Sequence, residues 1–205
     1  MTPCRHLALA AILFAFLAAG CGGPRISHTV DEGKLKDMSR QGQLWIYDAE
    51  NEIVVALDRM DEARDELAEL KQKMKEAEKG VERAEKRGRG SAVEVAEGWL
   101  VYLEAMEKWA KANIALHELG VIVARGAVEL AKAQVIQRED LLGGKDFAVV
   151  TFQEQYNELK AVYDKRTKAV TRLRKEARRK ETRWWTLRRR FTAQTGDHDS
   201  GLWID

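Results

Sequence analysis

IYDAENEIVVALDRMDEARDELAELKQKMKEAEKGVERA, residues 46–84, decides the fold. Its apolar positions recur at alternating spacings of three and four through six heptads without a gap. One edge reads Ile46, Ile53, Met60, Leu67, Met74, Val81; the other reads Ala49, Ala56, Ala63, Leu70, Ala77, Ala84. A repeat that averages 3.5 residues keeps one seam on the same side of a helix, and only a helix does that. Because the second edge is nearly all alanine, a partner helix can approach closely there while the larger edge fills the space beside it. The stretch predicts one arm of a long, tightly packed helical rod.

Working outward, Pro24 is the last proline of the 205 residues, so nothing after it forbids long helices. Thr29-Val30-Asp31-Glu32 matches a capping box, which predicts a first helix over residues 31–87, weakened early by Gly33 and Gly42. Gly88-Arg89-Gly90 breaks it, and Ser91-Ala92-Val93-Glu94 is a second capping box that opens a helix over 91–141. So short a connection predicts an antiparallel hairpin.

The second helix carries two adjoining apolar stripes. One holds Val95, Trp99, Tyr102, Met106, Trp109 and Leu116; the other holds Ala96, Leu100, Leu103, Ala110, Ile114 and Val121. A wide apolar arc predicts two neighbours, either the first and third helices or another molecule. Gly98, Gly120 and Gly126 lower its helix propensity, which points to close contact there. Gly143 and Gly144 end it, and Asp146 or Thr151 can cap a third helix over 146–192. That helix has its seam on Phe152, Tyr156, Leu159, Val170, Trp184 and Phe191. The fold expected is all-α: a long antiparallel up-down-up three-helix coiled-coil rod, followed by a flexible tail over 193–205.

Before the rod, Arg5 and His6 precede an apolar run over residues 7–19, too short to span a bilayer and of the right length for a signal-peptide core. The run ends in Leu17-Ala18-Ala19-Gly20-Cys21, which resembles the lipobox of bacterial lipoproteins, with Ala18 where a leucine is usual. The resemblance implies a signal peptide over 1–20, cleavage before Cys21, and acyl chains (diacylglyceryl, palmitate) on that cysteine. Two or three chains suffice for stable anchoring, where one binds only marginally. With Cys4 in the discarded segment, Cys21 becomes the one mature cysteine and no internal disulfide is expected. Gly22 after the cysteine implies sorting to the outer membrane, facing the periplasm. Residues 21–30 then form the lipidated end and a short tether.

Net charge is only +2, yet residues 145–192 hold 15 basic against 6 acidic side chains. The predicted topology sets Asp58, Asp61, Glu62, Asp65, Glu66 and Glu69 near the level of Lys165 to Lys175, so lacing between the first and third helices is expected there. Farther along, Arg183, Arg188, Arg189 and Arg190, mixed with Trp184 and Trp185, should meet Arg87 and Arg89 at the pole farthest from the lipid. Such a basic, aromatic tip can attract an anionic partner. Against that stands a plain reading in which Trp184 closes the core and the arginines suit a helix C-terminus.

Enzyme chemistry finds little footing. His28, His117 and His198 fall in a tether, a helix and a tail, with no ligand spacing among them. Glu107 and His117 are ten residues apart on one helix, roughly 15 Å, too far for an acid/base pair. Catalytic residues, metal and cofactors are therefore not expected; His198 between Asp197 and Asp199 is a weak metal motif. The partners expected are the membrane, through Cys21, and protein partners or further copies of the chain. Peptidoglycan is a possible ligand of the tip, and the secretion signal argues against nucleic acid. Three classes stay open: a lipid-anchored scaffold or adaptor, a tether to an anionic envelope component, and an accessory subunit of a secretion, efflux or motility complex.

Overall fold

The structure, a computed structural model, describes residues 24–88 and 90–196. Three helices dominate it: α1 Arg40–Lys86, α2 Gly90–Arg138 and α3 Val149–Thr195, of 47, 49 and 47 residues. At 1.5 Å per residue each is about 70 Å long. Ala84 of α1, Ala92 and Val95 of α2 and Phe191 of α3 share one buried cluster, whereas Ile46, Val135 and Phe152 share another. The outer helices therefore run the same way and α2 runs against them. This is the all-α, up-down-up three-helix rod that the heptads predict. No described helix is long and apolar enough to cross a membrane.

The middle helix separates its neighbours. α2 packs on both, yet among the described residues no Cα of α1 lies within 8 Å of a Cα of α3. The aromatic stripe of α2 stands in the gap. Burial, the Glu181 carboxylate of α3 and the Glu66 carboxylate of α1 all push the Tyr102 phenol above its ordinary pKa, with Arg174 pulling it back. Tyr102, Trp99 and Trp109 pack in one cluster with Leu67 and Met74 of α1 and Ala177 of α3.

The alanine edge of α1 takes the closest approach to α2, with Ala77 at 3 % and Ala84 at 0 % exposure. Ile53, Met60, Leu67 and Met74 on the larger edge stay half-buried, because α3 does not close over them. The expected lacing between α1 and α3 is absent for the same reason. Ion pairs among the described residues run within a helix or onto α2, as in Arg64 with Asp61 and Glu118, or tie Glu32 to Lys132.

The helix ends also differ from the sequence expectation. α1 begins at Arg40 rather than at residue 31, and the Thr29/Glu32 capping box is not used. Asp31 instead caps a single 3-10 turn, Glu32–Leu35, by accepting the Gly33 N–H at 2.9 Å. Ser39 caps α1 by accepting the Gly42 N–H at 3.1 Å. Since α2 ends at Arg138, a first helix begun at residue 31 would overhang it with its apolar side uncovered. Folding back buries Val30 and Leu35 among Leu130, Ile136 and Phe152.

α2 stops at Arg138, short of 141; just beyond, Asp140 adopts a φ of 49° and its carboxylate accepts the Gly144 N–H at 2.7 Å. α3 starts after Ala148, which makes no side-chain cap, so neither Asp146 nor Thr151 has the expected role. Its start is set instead by Phe147, stacked on Phe152 at 5.7 Å. The helix continues past 192 to Thr195, where Gly196, at a φ of 66°, donates its N–H to the Thr192 carbonyl at 2.9 Å. The signal segment with Cys21, and residues 197–205 with His198, lie outside the described residues.

Candidate functional site

The predicted tip is gathered at one pole but its parts face different ways. Trp184, expected as a partner contact, is sealed in the core at 6 % exposure, with its ring 4.4 Å from that of Trp99. Trp185 beside it is 44 % exposed. The Arg188 guanidinium lies 5.2 Å from the Trp185 ring and 5.6 Å from that of Trp184, a cation–π arrangement that holds the cation against the helix. Arg189 lies beside Trp185 and Arg188 around a shallow depression.

Arg183 and Arg190 face another groove, shared with Glu94 and Glu97 of α2. These acids of α2 temper the positive field on that side. Arg87 is exposed at the C-cap of α1, and Arg89 lies outside the described residues. The accessible basic and aromatic surface is thus the Trp185–Arg188–Arg189 side.

Midway along the rod, the side chains of the aromatic stripe shrink to Gly120, Ala124 and Ala127, and the gap between the outer helices opens as a groove of about 270 Å³. Glu52, Ala56 and Arg59 of α1 form one wall, Tyr156 and Tyr163 of α3 the other, and His117 stands at the floor. Burial and the nearby Arg59 cation hold the His117 imidazole below its ordinary pKa, opposed by Glu62, so the ring is neutral at neutral pH. The groove is smaller than the usual 300–1,000 Å³ of small-molecule pockets. Among the described residues no three His, Cys, Asp or Glu side chains group as metal ligands.

At the opposite pole a strap of residues 24–39 is bonded to the rod rather than hanging from it. The Gln155 side-chain oxygen accepts the backbone N–H groups of Ser27 and His28, both at 2.7 Å, and its amide donates to the His28 carbonyl at 3.1 Å. Glu129 accepts the Val30 N–H at 2.6 Å, and Glu139 accepts the Ser39 N–H at 2.7 Å and its hydroxyl at 2.5 Å. These bonds lower the Glu139 pKa. The sequence reading has residues 21–30 as the lipidated end and a short tether; glutamine and glutamate on distant helices carry no local sign that its described part, from Pro24, is clamped.

A second feature was missed. The face of α1 turned away from α2 exposes Leu44, Tyr47, Val54 and Val55, at 50, 64, 56 and 39 %. Their spacing of three, seven and one is itself helical, so attention to the side opposite the seam would have found it.

Comparison with protein-family models, with curated proteins and with solved structures finds nothing that matches this chain.

Proposed function

We propose that the chain is a lipid-anchored, periplasm-facing coiled-coil scaffold or adaptor of a bacterial cell envelope, without catalysis of its own. Cys21 carries the acyl chains, Gly22 directs the protein to the outer membrane, and the rod carries contacts with other envelope proteins or further copies. The observation that supports this reading is the clamped strap. Cys21 precedes Pro24 by only three positions, about 10 Å of extended chain. From Ser27 onward the backbone is bonded to α2 and α3. An anchor at Cys21 therefore acts on a stiff body, and the far pole stands about 70 Å away.

The test is expression of the full chain in a diderm bacterium beside Cys21→Ser, read by palmitate labelling and membrane fractionation. Label and outer-membrane retention in the wild type, both lost in the variant, are expected. Unlabelled, soluble protein in both strains would sink the reading.

A second reading gives the far pole an anionic envelope polymer such as peptidoglycan as ligand. The exposed Trp185, with Arg188 over its ring and Arg189 alongside, supports it. Its check is sedimentation of the full chain, in detergent, with isolated sacculi over a salt series, beside a variant with Arg188, Arg189 and Arg190 changed to Glu. Salt-sensitive pelleting lost in the variant is the expected result, and pelleting by neither protein removes this ligand.

A further inference from the structure

The outward faces of α1 and α3 complement each other in charge but cannot meet within one molecule. On α1 the face opposite the packing seam continues from its exposed apolar stretch into Asp58, Glu62, Asp65 and Glu69, all exposed. On α3 the corresponding face carries Lys165, Lys168, Arg172, Lys175 and Arg179, an exposed and mainly basic ladder in which Glu176 stands beside Arg172, Lys175 and Arg179 around one depression. None of these nine side chains takes part in an ion pair among the described residues. Both stretches lie on the exposed side of their helices, opposite the packed seams, and among the described residues the two helices make no contact with each other.

Their heights match. Ala56 and Arg59 of α1 meet Tyr156 and Tyr163 of α3 across the same groove. Helices of equal rise running in the same direction keep that register, which sets residues 58–69 of α1 level with 165–175 of α3. Nearer the strap, the exposed Leu44, Tyr47, Val54 and Val55 stand at the height of Val150 and Val162, themselves 67 and 42 % exposed.

We infer that α1 of one molecule docks against α3 of a second copy of this chain, side by side and pointing the same way. Apolar side chains near the strap supply buried area. The acids and bases beyond them fix register and direction, which is what exposed charge does better than it supplies affinity. The contact joins two different surfaces, so each molecule keeps one free face of each kind. Association then propagates as a row, or closes as a ring if the step includes a rotation about the rod axis. All straps lie at one end of such an array. The inference rests on the helical faces and does not need the acyl anchor.

The test uses the full chain in detergent and its Cys21→Ser form, which separates self-association from anchoring. Mass is measured by light scattering across concentration at low and high salt. One variant changes Asp58, Glu62, Asp65 and Glu69 to Lys; a second changes Lys165, Lys168, Arg172 and Lys175 to Glu; a third combines both sets. The expected result is a mass that rises with concentration and falls with salt, is lost in either single set, and returns when the two single-set variants are mixed or the sets are combined. A photo-crosslinking residue at Glu62 of the otherwise unchanged chain gives a second measurement that does not depend on the variants folding. Dimer crosslinks should map to residues 165–172. A wild type that stays monomeric at low salt, a mass indifferent to the α1 reversal, or crosslinks that fall elsewhere would overturn the inference. Loss of mass only on the α3 reversal would likewise overturn it and assign the basic ladder to another anionic partner.

Discussion

Gln155 and His28 exchange two hydrogen bonds, the His28 N–H donating to the glutamine oxygen at 2.7 Å and the glutamine amide donating to the His28 carbonyl at 3.1 Å. Gln155 is only 5 % exposed, and its amide gives an irregular strand of backbone the partners that a neighbouring strand would supply. Replacing it with leucine keeps the volume and takes away the acceptor of the Ser27 and His28 amides, at about 0.5–1.5 kcal/mol for each hydrogen bond lost. Limited proteolysis should then cut residues 24–39 much faster in Gln155→Leu than in the wild type, with the helices intact by circular dichroism. Equal cutting rates would show that the strap is held by Val30 and Leu35 alone.

Two helical glycines six residues apart on α2 should respond to alanine with opposite signs. A Cβ on Gly126 would meet the Leu159 Cδ1 at 2.8 Å, so that side chain, buried at 3 % exposure, must leave its place in the core, and Gly126→Ala should destabilise, by about 1–3 kcal/mol as overpacking does. A Cβ on Gly120 meets only the Tyr163 Cε2 at 3.5 Å, an ordinary contact. Gly120→Ala should therefore stabilise, by up to about 1 kcal/mol through helix propensity. Denaturant midpoints of the two variants decide the matter, and two shifts of one sign would contradict the packing described.

His117 predicts a loss of stability in weak acid. Its folded pKa lies below 6.5, through burial and Arg59, so the unfolded chain binds the proton more readily. Stability is then full above the unfolded value and is lost as pH falls from about 6.5 through the lower folded value. The melting temperature of the wild type should fall more between pH 7 and pH 5 than that of His117→Gln. Parallel curves would remove the histidine from the account.

Ser39 both caps α1 and donates its hydroxyl to Glu139, and Ser39→Ala should cost about 1 kcal/mol as N-cap losses do. The Glu139 pKa is lowered by the bonds from Ser39. That part of the stabilisation is present above the ordinary carboxylate value of 4.5 and is lost as pH falls through the folded one. The gap between wild type and Ser39→Ala in thermal unfolding should narrow below pH 4. A gap that stays constant would leave only the cap.

Much of the rod was legible because its signals are local. The unbroken heptads over residues 46–84, the glycines at 88, 90, 143 and 144, and the absence of proline after Pro24 dictate three helices and their turns whatever surrounds them. The gathering of Trp184, Trp185 and the arginines at one pole follows from the turns. The seam of the third helix also separates the two tryptophans, since Trp184 falls on it, one heptad before Phe191, and Trp185 falls one step off it; the structure adds Trp99 of α2 as the ring that covers Trp184.

By itself, then, the sequence determined helix number, direction and approximate length, since each depends on residues a few positions apart. Only the tertiary structure decided that α1 and α3 stand apart. Trp99, Tyr102 and Trp109 of α2 pack in one cluster with Leu67 and Met74 of α1 and Ala177 of α3, so the outer helices share α2 rather than each other, and heptad spacing carries no record of that choice. The same separation leaves acids on one outer face and bases on the other without internal partners. The strap was likewise a tertiary decision, because α2 ends at Arg138 and a helix extended beyond that point would have had nothing to pack against.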